Sequence, residues 1–300
     1  MDSRNYNKIS NNEDLLKDDF KFLLNLIYKF LRFVVVTPFR LLLIFLFYLF
    51  NSKIVKKQKV LIIKDFKDLF LYPVKWFFAA KTTLFLCFIM IIIFILQIFY
   101  LDNFGIKFAT YPQDLFNLDR YYTFITSIFL HGGTLHLISN LLALLIFGRK
   151  VERKYGFNMF FIFLFSGIIA NVISSFISVF ILNSNIPGWG ASGGIAGLIM
   201  LSVLLEPFSV TLYFGIPLPY FLLGWFLIYS DFAARNLNDG VGHYTHLGGY
   251  FGVLLFVLFF QRKNKKELIE GLIINLFMLF LFILINSFYG FSLFSFLFNR

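Results

Sequence analysis

From Thr82 to Leu101, and again from Phe157 to Leu182, the chain passes no charged side chain. An apolar run longer than roughly 18 residues can cross a bilayer as a helix. Inside lipid, every backbone N–H and C=O must be satisfied within the protein, which restricts spanning structures to helices and closed barrels. Such runs recur along the 300-residue sequence, which is 59% hydrophobic and holds 46 Phe. A soluble domain of this size could not cover so much apolar surface. The expected fold is therefore all-α: a polytopic helical bundle in a membrane.

Charge divides the chain. Residues 1–19 read as a polar tail with no cleavable signal peptide. Residues 20–50 are apolar but carry Lys21, Lys29, Arg32 and Arg40. A mid-span arginine costs about 2.5–3.5 kcal/mol on insertion scales, so an amphipathic interfacial helix is expected there. Residues 51–81 hold eight lysines against Asp65 and Asp68 and should face the cytoplasm. Six spans follow, at about 82–101, 134–148, 157–182, 192–206, 218–230 and 243–260. Pro207 stops the fourth, and Pro217 and Pro219 shorten the fifth. Residues 269–298 suggest a seventh, of open topology. The basic runs Arg149–Lys154 and Arg262–Lys266 fall on the cytoplasmic side of this scheme, and loops 102–130, 183–190 and 231–242 on the outer side. The expected domains are thus 1–81, a six-span core at 82–260, and a C-terminal segment at 261–300.

The net charge of +11 is explained by these flanks, and nucleic acid is not an expected partner. The single cysteine, Cys87, lies inside an apolar run, so neither a disulfide framework nor a thiolate metal site is expected.

The chemistry-bearing residues gather where apolar runs begin. Gly190-Ala191-Ser192-Gly193 opens the fourth span. All four histidines lie in two clusters, His131-Gly-Gly-Thr-Leu-His136 and His243-Tyr-Thr-His246, which open the second and sixth. These three spans run in the same direction, so Ser192, His246, His136 and Asn140 share one depth near the outer leaflet. His136 and Asn140 are i,i+4 and face the same way. Gly193-x-x-x-Gly197 and Gly248-x-x-x-Gly252, with Gly190 and Gly249 beside them, let helix backbones approach closely. A serine hydroxyl is a weak nucleophile until a base takes its proton, and histidine is the usual base. The resulting oxyanion needs donors. The backbone N–H at the helix start around Ala191 and Ser192 supplies one, and Asn140 and His136 are candidates for others.

Other roles compete with these. Gly-Ala-Ser-Gly is also a helix-packing patch, and Asn140 also reads as an interhelical hydrogen bond. His131 and His243 read as structural, and Glu152 as neutralising its basic neighbours in a loop. Asp239 could orient His246 as in a triad, but it lies seven residues upstream in an outer loop.

Taken together, the motifs resemble those of the rhomboid family of intramembrane serine proteases. Gly190-Ala191-Ser192-Gly193 with Gly197, His246-Leu247-Gly248-Gly249, and His136-x-x-x-Asn140 match the family pattern. So do Thr126–Gly133 and Phe147–Glu152. The resemblance spans about residues 82–260. It implies a six-helix rhomboid core and a Ser192–His246 dyad without an acid. It also implies an oxyanion site built from His136, Asn140 and backbone N–H groups such as that at Ala191. No cofactor or metal is implied, and the expected partners are transmembrane protein substrates and the lipid bilayer. A bacterial inner membrane, with the site opening to the outer face, is the expected location. Three departures stand out. Tyr122 and Thr123 replace a frequent Trp-Arg pair. Ala196 stands where some members pack an aromatic on the catalytic histidine, so another side chain must hold His246. Gly252 comes one position early.

Two alternatives stay open. One is a histidine-based transporter or metal protein, although neither histidine cluster has a carboxylate beside it in sequence. The other is a catalytically inactive relative that binds membrane proteins.

Overall fold

A computed structural model describes residues 19–47, 52–99, 105, 107–213, 216–235, 237, 240–260 and 265–289. Its main helices are α1 (Asp19–Phe47), α2 (Ser52–Phe78), α3 (Lys81–Phe99), α4 (Thr134–Tyr155), α5 (Asn158–Phe180), α6 (Ser192–Leu205), α7 (Tyr220–Ala234), α8 (His243–Phe260) and α9 (Lys265–Tyr289). Helices α3, α4, α5 and α8 are long and apolar enough to cross a membrane, while α6 and α7 are shorter apolar helices. The fold is an all-α polytopic bundle with one small addition. Val210–Tyr213 (β1) and Ile216–Pro219 (β2) pair antiparallel, Val210 opposite Pro219, just before α7. The two prolines expected only to shorten the fifth span lie in this ribbon, where a missing N–H is tolerated at an edge.

The centre of the bundle is α6, packed against both α5 and α8, which also pack on each other. The reason is the small side chains along its length. A Cβ on Gly193 would come within 2.6 Å of Ala170 Cβ on α5 and 3.0 Å of Thr245 Cγ2 on α8. One on Gly197 would collide with Ser166, and one on Gly249 with the Gly193 carbonyl oxygen. On the other face of α8, a Cβ on Gly248 would stand 2.9 Å from Ala170 Cα, and one on Gly252 would stand 3.1 Å from Ser166 Cα. Lipid supplies no hydrophobic drive between helices, so this close backbone packing holds them together.

Of the stretch at 20–50, the described part, residues 20–47, lies in α1, which packs on α2. Asp65 on α2 is buried and pairs with Arg40 and, at 3.4 Å, with Arg32. Lys29 Nζ sits 4.0 Å above the Tyr72 ring, on which Phe22 also stacks. Part of the polar face assigned to the membrane surface is therefore turned onto a partner helix.

The basic run after the second span is not a loop. Helix α4 passes through a π turn at Leu144–Gly148 and continues to Tyr155, because its cations find acceptors. Lys150 Nζ lies 2.8 Å from Glu206, and Arg153 also pairs with Glu206 at the end of α6. Arg149 donates to the Phe77 carbonyl at 3.1 Å.

Glu152, expected to neutralise neighbouring bases, instead caps α3. Its carboxylate accepts the N–H of Thr82 at 2.7 Å and of Thr83 at 2.9 Å. Those donors have no partner within their own helix.

The segment after α3 forms short helical turns organised by Asp114, which is buried. It accepts from the Tyr111 N–H, Thr123 Oγ1 and Arg120 Nε. Thr110 exchanges both backbone hydrogen bonds with Gly188, and Gly190 N donates to the Ser127 carbonyl. This layer thereby fixes the segment that leads into Ser192.

Candidate active site

Ser192 is the first residue of α6, and Gly190 sets how the chain reaches it. Gly190 has φ +131°, a conformation that side chains rarely adopt. A Cβ there would fall 2.8 Å from His136 Nε2 and 4.0 Å from Ser192 Oγ. The missing side chain is therefore the space in which the His136 ring approaches Ser192. The Gly132 N–H donates to His136 Nδ1 at 3.4 Å, which makes Nδ1 an acceptor and leaves the ring proton on Nε2, toward Gly190. Asn140 Nδ2 donates to the His136 carbonyl at 2.8 Å, so part of its amide is engaged along its own helix. Ala191 is fully buried beside them as the residue before the helix, where the first N–H groups of α6 have no intrahelical acceptor. His131, also buried, packs edge-on to His136 with ring centres 5.2 Å apart.

His246 lies one turn into α8. The Gly193–Gly249 contact sets the α6–α8 spacing. Among the described contacts Ser192 and His246 share no hydrogen bond. Such pairs are commonly long without substrate. Ala196, where an aromatic could have packed on His246, instead faces Gly249.

The group that holds His246 is Asp231. His246 Nδ1 donates to Asp231 Oδ1 at 2.8 Å, His243 Nδ1 to the same oxygen at 2.9 Å, and Tyr250 Oη to Oδ2 at 2.9 Å. Sequence reasoning placed Asp231 in an outer loop. It lies inside α7, which runs on to Ala234, and is 6% exposed. The available signal was a carboxylate at the end of an apolar helix, since buried ionisable groups in membrane helices are functional by default. Asp239, the acid singled out from sequence, lies outside the described residues.

Asp231, His243 and His246 offer ligand atoms within 4.8 Å of one another. In three dimensions the second histidine cluster thus does have a carboxylate beside it, contrary to expectation. Two imidazoles and a carboxylate suit zinc. The 2.8 and 2.9 Å separations are, however, those of hydrogen bonds carrying protons that a metal would have to displace.

Known proteins place this architecture. Residues 118–252 match the family model described as the Rhomboid domain, so the chain contains a rhomboid-family domain over that stretch. It is similar to RHOMBOID-like protein 12, mitochondrial, of Arabidopsis thaliana, at 32% identity over 51% of this chain and 49% of that protein. It is also similar to Rhomboid-like protein 11, chloroplastic, of the same plant, at 35% identity over 45% of each. Rhomboid-like protease 3 of Toxoplasma gondii is 26% identical over 46% of this chain and 51% of that protein. The chain spans about half the length of the curated relatives it matches. The chain is an integral membrane protein. Mitochondrial and chloroplastic relatives give no support to a bacterial inner membrane, and that expectation is dropped.

Proposed function

We propose that the protein is an intramembrane serine endopeptidase that cuts transmembrane helices of other membrane proteins near the end of the bundle that holds Ser192. Ser192 Oγ attacks the scissile carbonyl carbon, and His246 Nε2 takes the hydroxyl proton. The oxyanion is received by His136 Nε2–H, the remaining Asn140 amide N–H and the N-terminal N–H groups of α6 around Ala191 and Ser192. When the C–N bond breaks, His246 returns the proton to the leaving amine. Water then attacks the acyl-enzyme by the same route.

The observation that carries this reading is the vacant Cβ position of Gly190, which brings the His136 Nε2 donor and Ser192 Oγ to one point. The family relationship supports it, and the relative from Toxoplasma gondii is described as a protease. The basic ends of α4 and the start of α9 favour an orientation in which the Ser192 end faces away from the cytosol. A fluorophosphonate probe followed by peptide mapping tests the nucleophile. The adduct is expected on Ser192, and a wild-type protein that acquires none there contradicts the assignment.

A further inference from the structure

The proposed base is held by an acid that a serine–histidine dyad does not contain. Asp231 is buried, sits on a different helix from His246, and presents Oδ1 to His246 Nδ1 at 2.8 Å. A hydrogen bond at Nδ1 fixes the tautomer: with the proton on Nδ1, Nε2 carries the free lone pair. The same bond limits rotation of the ring. Asp231 is itself fixed. His243 donates to Oδ1 and Tyr250 to Oδ2, so three donors from α8 hold one carboxylate of α7. Ala196 offers no ring to His246, and the ring recorded against it is that of His243, edge-on with centres 6.2 Å apart.

We infer that Asp231 is a positioning residue that sets the tautomer and orientation of His246, so that the site works as a Ser192–His246–Asp231 relay, with His243 and Tyr250 orienting the acid. This inference rests on the Ser192–His246 reading above. In the acylation step the Ser192 proton passes to His246 Nε2, and the imidazolium is stabilised by the carboxylate on Nδ1, which does not itself take the proton.

A buried carboxylate that only joined α7 to α8 would also be destabilising to remove, so stability is not the test. The experiment uses the full-length protein in detergent and compares wild type with Asp231→Asn, Asp231→Ala and Tyr250→Phe. It reads the second-order rate of Ser192 labelling by a fluorophosphonate, kcat and KM on a transmembrane substrate, and the ¹⁵N imidazole shifts of His246. The expected result for Asp231→Asn is a fall on the order of 10²-fold in both labelling and kcat, with KM within about twofold. Tyr250→Phe should fall less, in the same parameters. Wild-type His246 should show a protonated Nδ1, and Asp231→Ala should show a mixture of tautomers. If Asp231→Asn does not fold, Tyr250→Phe and the wild-type tautomer carry the test.

Labelling and kcat within threefold of wild type in Asp231→Asn, or in Tyr250→Phe where the first cannot be measured, overturn the inference. So does a wild-type His246 with its proton on Nε2, or labelling that a chelator abolishes and zinc restores. A wild type that is not labelled at all strikes the nucleophile assignment. A labelled wild type with an equally labelled Asp231→Asn strikes Asp231 alone.

Discussion

Gly249 on α8 rests against the carbonyl oxygen of Gly193 on α6, so closely that a Cβ on Gly249 has no room. The contact lies one residue beyond Ser192 on one helix and one turn beyond His246 on the other. It sets the distance over which a proton would pass between them. Gly249→Ala is expected to gain intrinsic helix propensity of about 1 kcal/mol and to lose more through backbone displacement, by about 1–3 kcal/mol of overpacking. Cleavage should fall at least tenfold, while the purified protein still elutes as a folded species. Cleavage equal to wild type would show that this spacing does not control the site.

Gly190 makes a sharper case, because space and backbone conformation both exclude a side chain. Gly190→Ala places a methyl against the His136 ring and requires φ +131° of an alanine. Such strain costs on the order of 1–3 kcal/mol. His136→Ala leaves the Gly190 backbone unstrained and removes the proposed oxyanion donor, together with the acceptor of the Gly132 N–H. It should lower kcat by about 10²–10³-fold with little change in KM. Steady-state kinetics of the two variants separate entry geometry from charge stabilisation.

Much of this arrangement could be read from residues alone. Ser192, His246, His136 and the glycines announced themselves because each opens an apolar run and lies on a small-residue face, which periodicity and parity of spans reveal. Asp231 was missed for a physical reason. The end of α7 carries Asp231 and Arg235 within five residues, a pattern that normally marks a helix leaving the membrane. The partners on α8, His243, His246 and Tyr250, make burial of that carboxylate tolerable, and such long-range pairing leaves no local signal. Glu152 follows the same rule: its neighbours in sequence are bases, while its partners Thr82 and Thr83 lie some 70 residues away.

Glu152 leads to a stability prediction. Replacing it with alanine leaves the Thr82 and Thr83 N–H groups, and the Thr83 hydroxyl, without the acceptor they share. The expected loss is about 1–3 kcal/mol, seen as a lowered thermal midpoint in detergent. Glu152→Gln should lose less. An unchanged midpoint in Glu152→Ala would mean that α3 is held by lipid and packing alone.

The end of the bundle that holds Glu206 should be sensitive to acid. Burial pushes the Glu206 carboxyl up, but hydrogen bonding and attraction from Lys150, with Arg153 and Ser209, outweigh it and hold the group at about 2 instead of 4.5. A depressed carboxyl contributes stability that is full above its ordinary value and is lost as pH falls through the native one. Stability should therefore decline from about pH 4.5 toward 2, and Glu206→Gln should flatten that part of the profile. Thermal unfolding across this range checks it.

The N-terminal hairpin should be separable from catalysis. Asp65→Ala removes the carboxylate that pairs with Arg32 and Arg40. Limited proteolysis is expected to cut α1 faster in this variant, while cleavage of substrate by the core stays within twofold. A proportional loss of activity would place the hairpin in the working structure of the site.

The central claim is that Ser192 and His246 cut transmembrane helices. Its most direct test is cleavage of a model transmembrane substrate by purified protein, with wild type compared with Ser192→Ala and His246→Ala and each assayed with and without a chelator. The account predicts a defined cut by the wild type that the chelator leaves unchanged and that both substitutions abolish. Cleavage that survives Ser192→Ala, or that vanishes with the chelator, would contradict it.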